Sequence, residues 1–166
     1  MQNLNISPRI LFLNETKLVG YQLTMSLVNN KTSELWQRFM PRRREIANRL
    51  NNDLISMQVY APSYFVDFKP TNDFEKWATV EVSRFDFVPN DMQTFTLPSG
   101  FYAVFDYEGS SNDNRIFQYI FETWLPNSMY RVDDRPHFER LGEKYKNADP
   151  NSAEEIWLPI KPIKTA

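Results

Sequence analysis

The sequence contains no cysteine, which excludes disulfides, thiolate metal sites and cysteine nucleophiles. His137 is its only histidine, so neither a multi-histidine metal site nor a paired-imidazole mechanism is available. Charge of neither sign dominates. The 19 basic and 21 acidic side chains leave a net charge of −2, which is no electrostatic footprint for nucleic acid. The one basic cluster, Arg42-Arg43-Arg44 with Arg38 and Arg49, falls on a predicted helix and reads as a solvated face. No stretch approaches the roughly 20 apolar residues that span a bilayer, and the start MQNLNISPRILFLNE lacks the pattern of a secretory signal. Glycine is scarce, at 4 residues. The turn Gly109-Ser110-Ser111 has neither the lysine nor the helix context of a phosphate loop, and no serine sits in a Gly-x-Ser-x-Gly elbow. These absences predict a soluble cytoplasmic protein with no cofactor, no metal site, no membrane contact and no direct contact with nucleic acid.

What the chain does have is rings: 13 Phe, 8 Tyr and 4 Trp, within a hydrophobic content of 42%. A length of 166 residues is enough for one domain with a real core. The rings either fill that core or line a cavity for a flat or cationic ligand, since ligand pockets are mostly apolar with a few placed polar groups.

The pattern along the chain repeats. In LVGYQLTMS (Leu18 to Ser26), Val19, Tyr21, Leu23 and Met25 alternate with Gly20, Gln22 and Thr24, a half-buried strand. From about Ser33 to Asn51, Leu35, Trp36, Phe39, Met40, Ile46, Ala47 and Leu50 form a helical stripe, and Pro41 should kink or divide it. Strands follow at Ile55 to Tyr60 and Trp77 to Arg84. Between them, Ala61 to Glu75 is a long loop carrying Tyr64, Phe65, Phe68 and Phe74, in the manner of a lid. The second half gives a central strand at Phe101 to Tyr107, then a helix carrying Ile116, Phe117, Ile120, Phe121 and Trp124. Asn112 or Asp113 can cap that helix, and Pro126 should end it. Strands at Pro136 to Leu141 and Glu154 to Ile160 close the order.

The first strands of the two halves begin near residues 17 and 100, an offset of 100 − 17 = 83. The chain, taken as one domain over 1–166, therefore reads as two pseudo-symmetric strand-helix-strand-strand units, roughly 9–90 and 91–162. They should share one antiparallel sheet in an α+β fold, with two helices across it and a cleft between them.

Glu139 stands among rings in RPHFERL, where alternation puts His137, Glu139 and Leu141 on one face and Phe138 and Arg140 on the other. If Phe138 packs into the core, pattern alone leaves Glu139 on an open face as a solvated carboxylate. Glu81, in ATVEVS, alternates away from Val80 and Val82. Were it to face Glu139, the two would form a general acid–base pair.

The segments KWATVEV, FYAVFDYEG, FETWLPNS and RPHFERLGEKY, in this order and spacing, resemble the gyrase-inhibitor-like (GyrI-like) small-molecule-binding family. That family also supplies the effector-binding domain of AraC-type and MerR-type bacterial regulators, and the resemblance runs from Arg9 to Pro162. It implies a pocket with Glu139 at its floor. It also implies ligand contacts from Tyr60, Trp77 and Trp124, with Tyr145 and Trp157 as partners across the pseudo-axis and Glu81 facing the same cleft. Trp36 and Phe39 stay core residues. A carboxylate among rings is costly to bury alone, and a lipophilic cation would relieve that cost while the rings add cation–π attraction. The chain departs from the family at Asp106 and Tyr107, where histidine is common. It carries no helix-turn-helix, so no direct nucleic-acid binding is expected. The resemblance implies a free-standing binding domain for lipophilic aromatic or cationic compounds. Its alternative is a hydrolase of cyclopropane-containing genotoxins with Glu139 as the catalytic carboxylate, and a third reading is a protein partner.

Overall fold

The period-two segments become strands of one antiparallel sheet, and both helical stripes lie across it. The computed structural model describes residues 6–163. The first five residues, part of the stretch read against a secretory signal, and the last three of the 1–166 domain lie outside the described residues. In chain order the strands are β1 (Arg9–Leu13), β2 (Thr16–Met25), β3 (Leu54–Val59), β4 (Phe74–Val82) and β5 (Gln93–Leu97). They continue with β6 (Gly100–Glu108), β7 (Tyr130–Val132), β8 (His137–Leu141) and β9 (Ala153–Pro162). The helices are α1 (Thr32–Phe39), α2 (Arg115–Tyr119) and the single turn α3 (Leu125–Asn127).

The sheet order is β1-β6-β9-β8-β3-β4-β2-β5, with β7 on β9. Reading that order backwards exchanges β1 with β5, β2 with β6, β3 with β8 and β4 with β9. That reversal is a pseudo-two-fold axis, and β3 and β8 meet on it. Ser56 lies opposite Glu139 at the centre of their register, and 139 − 56 = 83, the offset between the two halves of the sequence. Strands β1, β5 and β7 go beyond the sequence reading. RILFL and QTFTL are too short to declare a period. Each leading strand crosses over, β1 onto β6 and β5 onto β2.

The helices also differ from expectation. The α-helix ends at Phe39, because Pro41 opens a tighter 3₁₀ segment over Met40–Glu45 and the chain then turns through Asn48 at φ 66°. Leu50, placed on the stripe by spacing, is therefore exposed. The second helix widens over Ile120–Trp124, where the Leu125 N–H reaches back to the Ile120 carbonyl. Pro126, expected to end the helix, sits within its last turn. It has no N–H to give and its ring crowds the carbonyl four residues back, which the wider turn accommodates. Asp113 accepts the Arg115 backbone N–H at 3.0 Å at the other end.

Both faces of the sheet are covered. On the helix side, Val19, Tyr21, Ala78 and Val80 pack with Leu35 and Phe39 of α1. Ala103, Phe105, Ile156 and Leu158 pack with Ile116 and Ile120 of the second helix. On the opposite side, Leu18, Met57, Trp77, Tyr102, Phe138 and Trp157 form one cluster, with Phe138 and Trp157 stacked at 5.0 Å and 18°. Leu11 and Leu13 of β1 and Phe95 of β5 pack against this same cluster, so the two ends of the sheet curl around it. Gly20 lies where β2 meets β4 so closely that any Cβ would overlap the Ala78 carbonyl oxygen.

Candidate effector-binding cleft

The two helices leave a gap over the middle of the sheet, and a cavity of about 330 Å³ fills it. Leu27, Asn30 and Thr32 wall it on the α1 side, and Asn114, Phe117, Ile120 and Phe121 on the α2 side. The floor comes from β3, β4, β8 and β9, with Gln58, Lys76, His137, Glu139 and Ile156. A second hollow over residues 46–52 is open to solvent and carries no cluster of chemical groups beyond Arg49.

One end of the cleft is closed by rings. Tyr60 meets Tyr64 at 4.6 Å, Phe65 at 4.9 Å, His137 at 5.0 Å and Phe74 at 5.4 Å between ring centres. Phe65 lies nearly parallel to both His137 and Phe121, at 5.9 and 6.4 Å, and so bridges the floor to the second helix. Tyr60, Tyr64 and Phe65 come from the loop between β3 and β4, which the Val28 N–H ties to the Pro70 carbonyl at 3.3 Å. Phe74 already belongs to β4, which starts three residues before Trp77 and shortens the loop.

Glu139 is placed by alternation on β8. Phe138 packs into the curled core as one of the two expectations had it, which turns Glu139 to the helix face. That face is a cleft floor rather than open solvent, because the helices roof its margins. The Gln58 Nε2 donates to Glu139 Oε2 at 3.1 Å. Among the described residues no cationic side chain comes within 4.0 Å of the Glu139 carboxylate.

The surrounding groups are strongly perturbed. Burial, reinforced by the charge of Glu139 and opposed by Lys76, pushes the Glu154 carboxyl up to about 7. Burial brings His137 down to about 4, so its imidazole is neutral at physiological pH. Burial lowers the Lys76 amine against the opposing pull of Glu139 and Glu154. It raises the Tyr60 hydroxyl, with Glu139 and Tyr64 adding to the effect.

Of the residues named from sequence, Glu139 and Tyr60 lie in the cavity wall, and Trp157 borders it. The Trp157 indole, however, stacks on Phe138 in the opposite layer and donates its Nε1 proton to Glu155 at 3.1 Å. Trp77 lies in that opposite layer too, against Phe95, with its Nε1 on Glu75 at 3.1 Å. Trp124 packs between Phe105 and Tyr130 beneath the second helix. Tyr145 follows β8, with its hydroxyl on Asn147 at 3.3 Å, and is not part of the wall. Glu81 points away from the cleft and sits 3.6 Å from Arg140. The carboxylate that feels Glu139 is instead Glu154. Of the two departures from the family, Asp106 pairs with Arg9 at 3.0 Å on the surface, and Tyr107 donates to the Ser110 carbonyl at 2.8 Å.

The residues sequence reasoning missed had a signal. In KWATVEV, Lys76 shares a face with Ala78 and Val80, and in EEIWLPI, Glu154 shares one with Ile156 and Leu158. Period-two counting places both under the helices. The rings of the lid were visible as a group, but their convergence on His137 was not.

A two-unit antiparallel sheet with a cavity between its helices is the architecture of a small-molecule-binding effector domain. The chain belongs to the integron-associated effector-binding protein family, whose description matches residues 9–160, in keeping with the GyrI-like resemblance. It is 28% identical over 158 residues to the transcriptional regulator BrlR of Pseudomonas aeruginosa, covering 94% of this chain and 56% of that protein. The chain thus spans about half the length of this curated relative. Among solved structures it is similar to SAV2435 bound to tetraphenylphosphonium, with a TM-score of 0.70 at 17% identity, covering 95% of this chain and 94% of the other. An integron cassette protein from the mobile metagenome of Vibrio cholerae gives a TM-score of 0.62 at 18% identity, covering 96% and 100%. At those identities the two structures speak for the fold alone. Among the described residues no helix is long and apolar enough to cross a membrane, and no group of three or more potential ligands is placed to hold a metal ion.

Proposed function

We propose that this chain binds lipophilic aromatic cations in the cleft between its helices, with Glu139 as the counter-charge and the rings around Tyr60 and Phe65 as walls. The observation that carries this reading is a carboxylate in an aromatic cavity whose hydrogen-bond partner, Gln58, is neutral. Such a group is costly to hold without a compensating charge. A ligand cation supplies that charge, and each well-placed ring adds roughly 0.5–2 kcal/mol of cation–π attraction. That SAV2435, a protein of similar fold, was solved with tetraphenylphosphonium supports the choice of ligand class. The likeness to BrlR supports an effector-sensing role linked to transcription, which carries a cytoplasmic location with it. A protein partner that reads the bound state belongs to the same proposal.

The test is a calorimetric comparison of tetraphenylphosphonium with triphenylphosphine oxide, a neutral molecule of related shape. The cation should bind at least about tenfold tighter, the equivalent of 1.4 kcal/mol. Equal affinities would remove the role given to the carboxylate.

A hydrolytic use of the same cleft is the second reading, and one observation favours it. Burial, reinforced by the charge of Glu139, raises the Glu154 carboxyl to about 7, and a carboxyl that holds its proton near neutrality is what a general acid needs. Incubation with a strained cyclopropane electrophile followed by mass spectrometry separates the readings. Recovered intact compound supports binding alone, and a hydrolysed product supports turnover.

A further inference from the structure

A lysine in the floor of a cation-binding cleft is a contradiction in charge. Lys76 lies on β4 beside Gln58 of β3 and lines the same cavity as Glu139. A permanent ammonium there would cancel the attraction of Glu139 for any cation. The side chain is not neutralised by pairing either. Among the described residues Lys76 makes no side-chain hydrogen bond, and no carboxylate oxygen lies within 4.0 Å of its amine. Its position is fixed by the strand, because Ala78 and Val80 on the same face are packed under α1. The amine is thus free of a partner, on a half-buried side chain that faces space large enough for a small molecule. Burial disfavours its charged form, although Glu139 and Glu154 oppose that effect.

From this geometry we infer that Lys76 is a covalent capture site for aromatic aldehydes, which it holds as imines within the cleft. The inference goes beyond reversible cation binding and rests on that reading only in needing the cleft to admit flat ligands. A neutral amine is the nucleophilic form of lysine, and a hydrophobic pocket is a known way to keep it so. The nitrogen lone pair adds to the carbonyl carbon, forming the N–C bond while the C=O π pair moves to oxygen. A proton passes from nitrogen to that oxygen, giving a carbinolamine. Loss of the hydroxyl with a second proton, as water, leaves the C=N bond. One amine and one aldehyde give one imine and one water, with no oxidant or reductant required. When the imine takes a proton it becomes a cation, and Glu139 is then its counter-charge. Tyr60, Phe65 and Phe121 offer rings for the aromatic part of the aldehyde. Surface amines such as Lys69, Lys144 and Lys146 lack both features.

The experiment incubates the whole protein with 6-methoxy-2-naphthaldehyde and sodium cyanoborohydride at pH 7, then maps the reduced adduct by peptide mass spectrometry over time. Lys76, whose charged form burial disfavours and beside which the cleft can hold a flat ligand, should be modified several-fold ahead of the exposed Lys69, Lys144 and Lys146. Tetraphenylphosphonium should suppress the adduct at Lys76 and leave the surface lysines unchanged. Lys76→Met should abolish the fast phase, and a far-UV circular dichroism spectrum and a urea midpoint close to those of the native protein show that the variant folds. Uniform labelling of all lysines, or an unmodified Lys76 in protein that binds tetraphenylphosphonium normally, would overturn the inference without touching the cation-binding reading. Failure of tetraphenylphosphonium to bind, with fast labelling of Lys76, would leave this inference standing and sink the other.

Discussion

Replacing Glu139 with Gln should remove most of the preference for cations, and the loss should grow with pH. The substitution keeps size and shape, and an amide oxygen can still accept the Gln58 Nε2 proton that reaches Oε2 at 3.1 Å in the native protein. What disappears is one negative charge. At an effective dielectric of about 20, that charge is worth roughly 3 kcal/mol to a cation about 5 Å away. Partial exposure of the cleft brings this to about 1.5–3 kcal/mol, the range for hydrogen bonds to charged groups. Affinity should fall roughly 10- to 150-fold. Glu154 modifies the outcome, because part of what holds its carboxyl at about 7 is the charge of Glu139. In the variant that repulsion is gone, so Glu154 ionises earlier and restores some of the missing charge near neutrality. At pH 8 it is ionised in both proteins, and the whole difference is exposed. The assay is calorimetric titration of both proteins with tetraphenylphosphonium and with triphenylphosphine oxide, at pH 6 and pH 8. The cation should lose affinity in the variant, more at pH 8 than at pH 6, while the neutral compound changes little. Equal cation affinities at pH 8, or equal losses for both compounds, would refute the reasoning.

Further outcomes follow from the same structure. Phe65→Ala should weaken both the cation and the neutral compound by removing the bridge between His137 and Phe121, yet change urea stability by less than about 1 kcal/mol because the ring is half-exposed. Gly20→Ala should destabilise by about 1–3 kcal/mol in urea titration, since the new Cβ meets backbone that cannot move aside. For His137, held near 4 when folded against about 6.5 unfolded, the unfolded chain binds more protons, so stability should fall by about 3 kcal/mol as pH drops through that interval. Glu154 acts oppositely. Its folded form keeps a proton up to about 7, so stability should fall as pH rises from about 4.5 to about 7. Urea titrations across pH should show His137→Asn unmasking the Glu154 slope and Glu154→Gln unmasking the His137 slope.

The architecture was legible because the duplication is written in periodicity. Clean alternation at Val19 to Met25, helical stripes at Leu35 to Phe39 and Ile116 to Trp124, and the 83-residue offset define two units, and the offset reappears as Ser56 opposite Glu139. The crossing strands β1 and β5 were not legible, since five residues carry too little pattern and their partners lie in the other half of the chain. For the site, what sequence cannot supply is which face is roofed. The rule that Glu139 opposes Phe138 was correct, but its meaning depended on two helices closing over that face. The tryptophans show the same limit. Trp77 and Trp157 alternate into the curled side of the sheet, whose existence depends on β1 and β5. Lys76 and Glu154 were overlooked because charged residues on a strand read as solvent-facing unless their neighbours of like parity are counted.

The most direct test of the central claim is a crystal structure of the protein soaked with tetraphenylarsonium, located by the anomalous signal of arsenic. The account predicts a single strong peak above Glu139, enclosed by Tyr60, Phe65 and Phe121, and its loss in Glu139→Gln crystals soaked at the same concentration. A peak elsewhere, such as over the exposed Phe12–Phe101 pair on the outer strands, with the cleft vacant would contradict it.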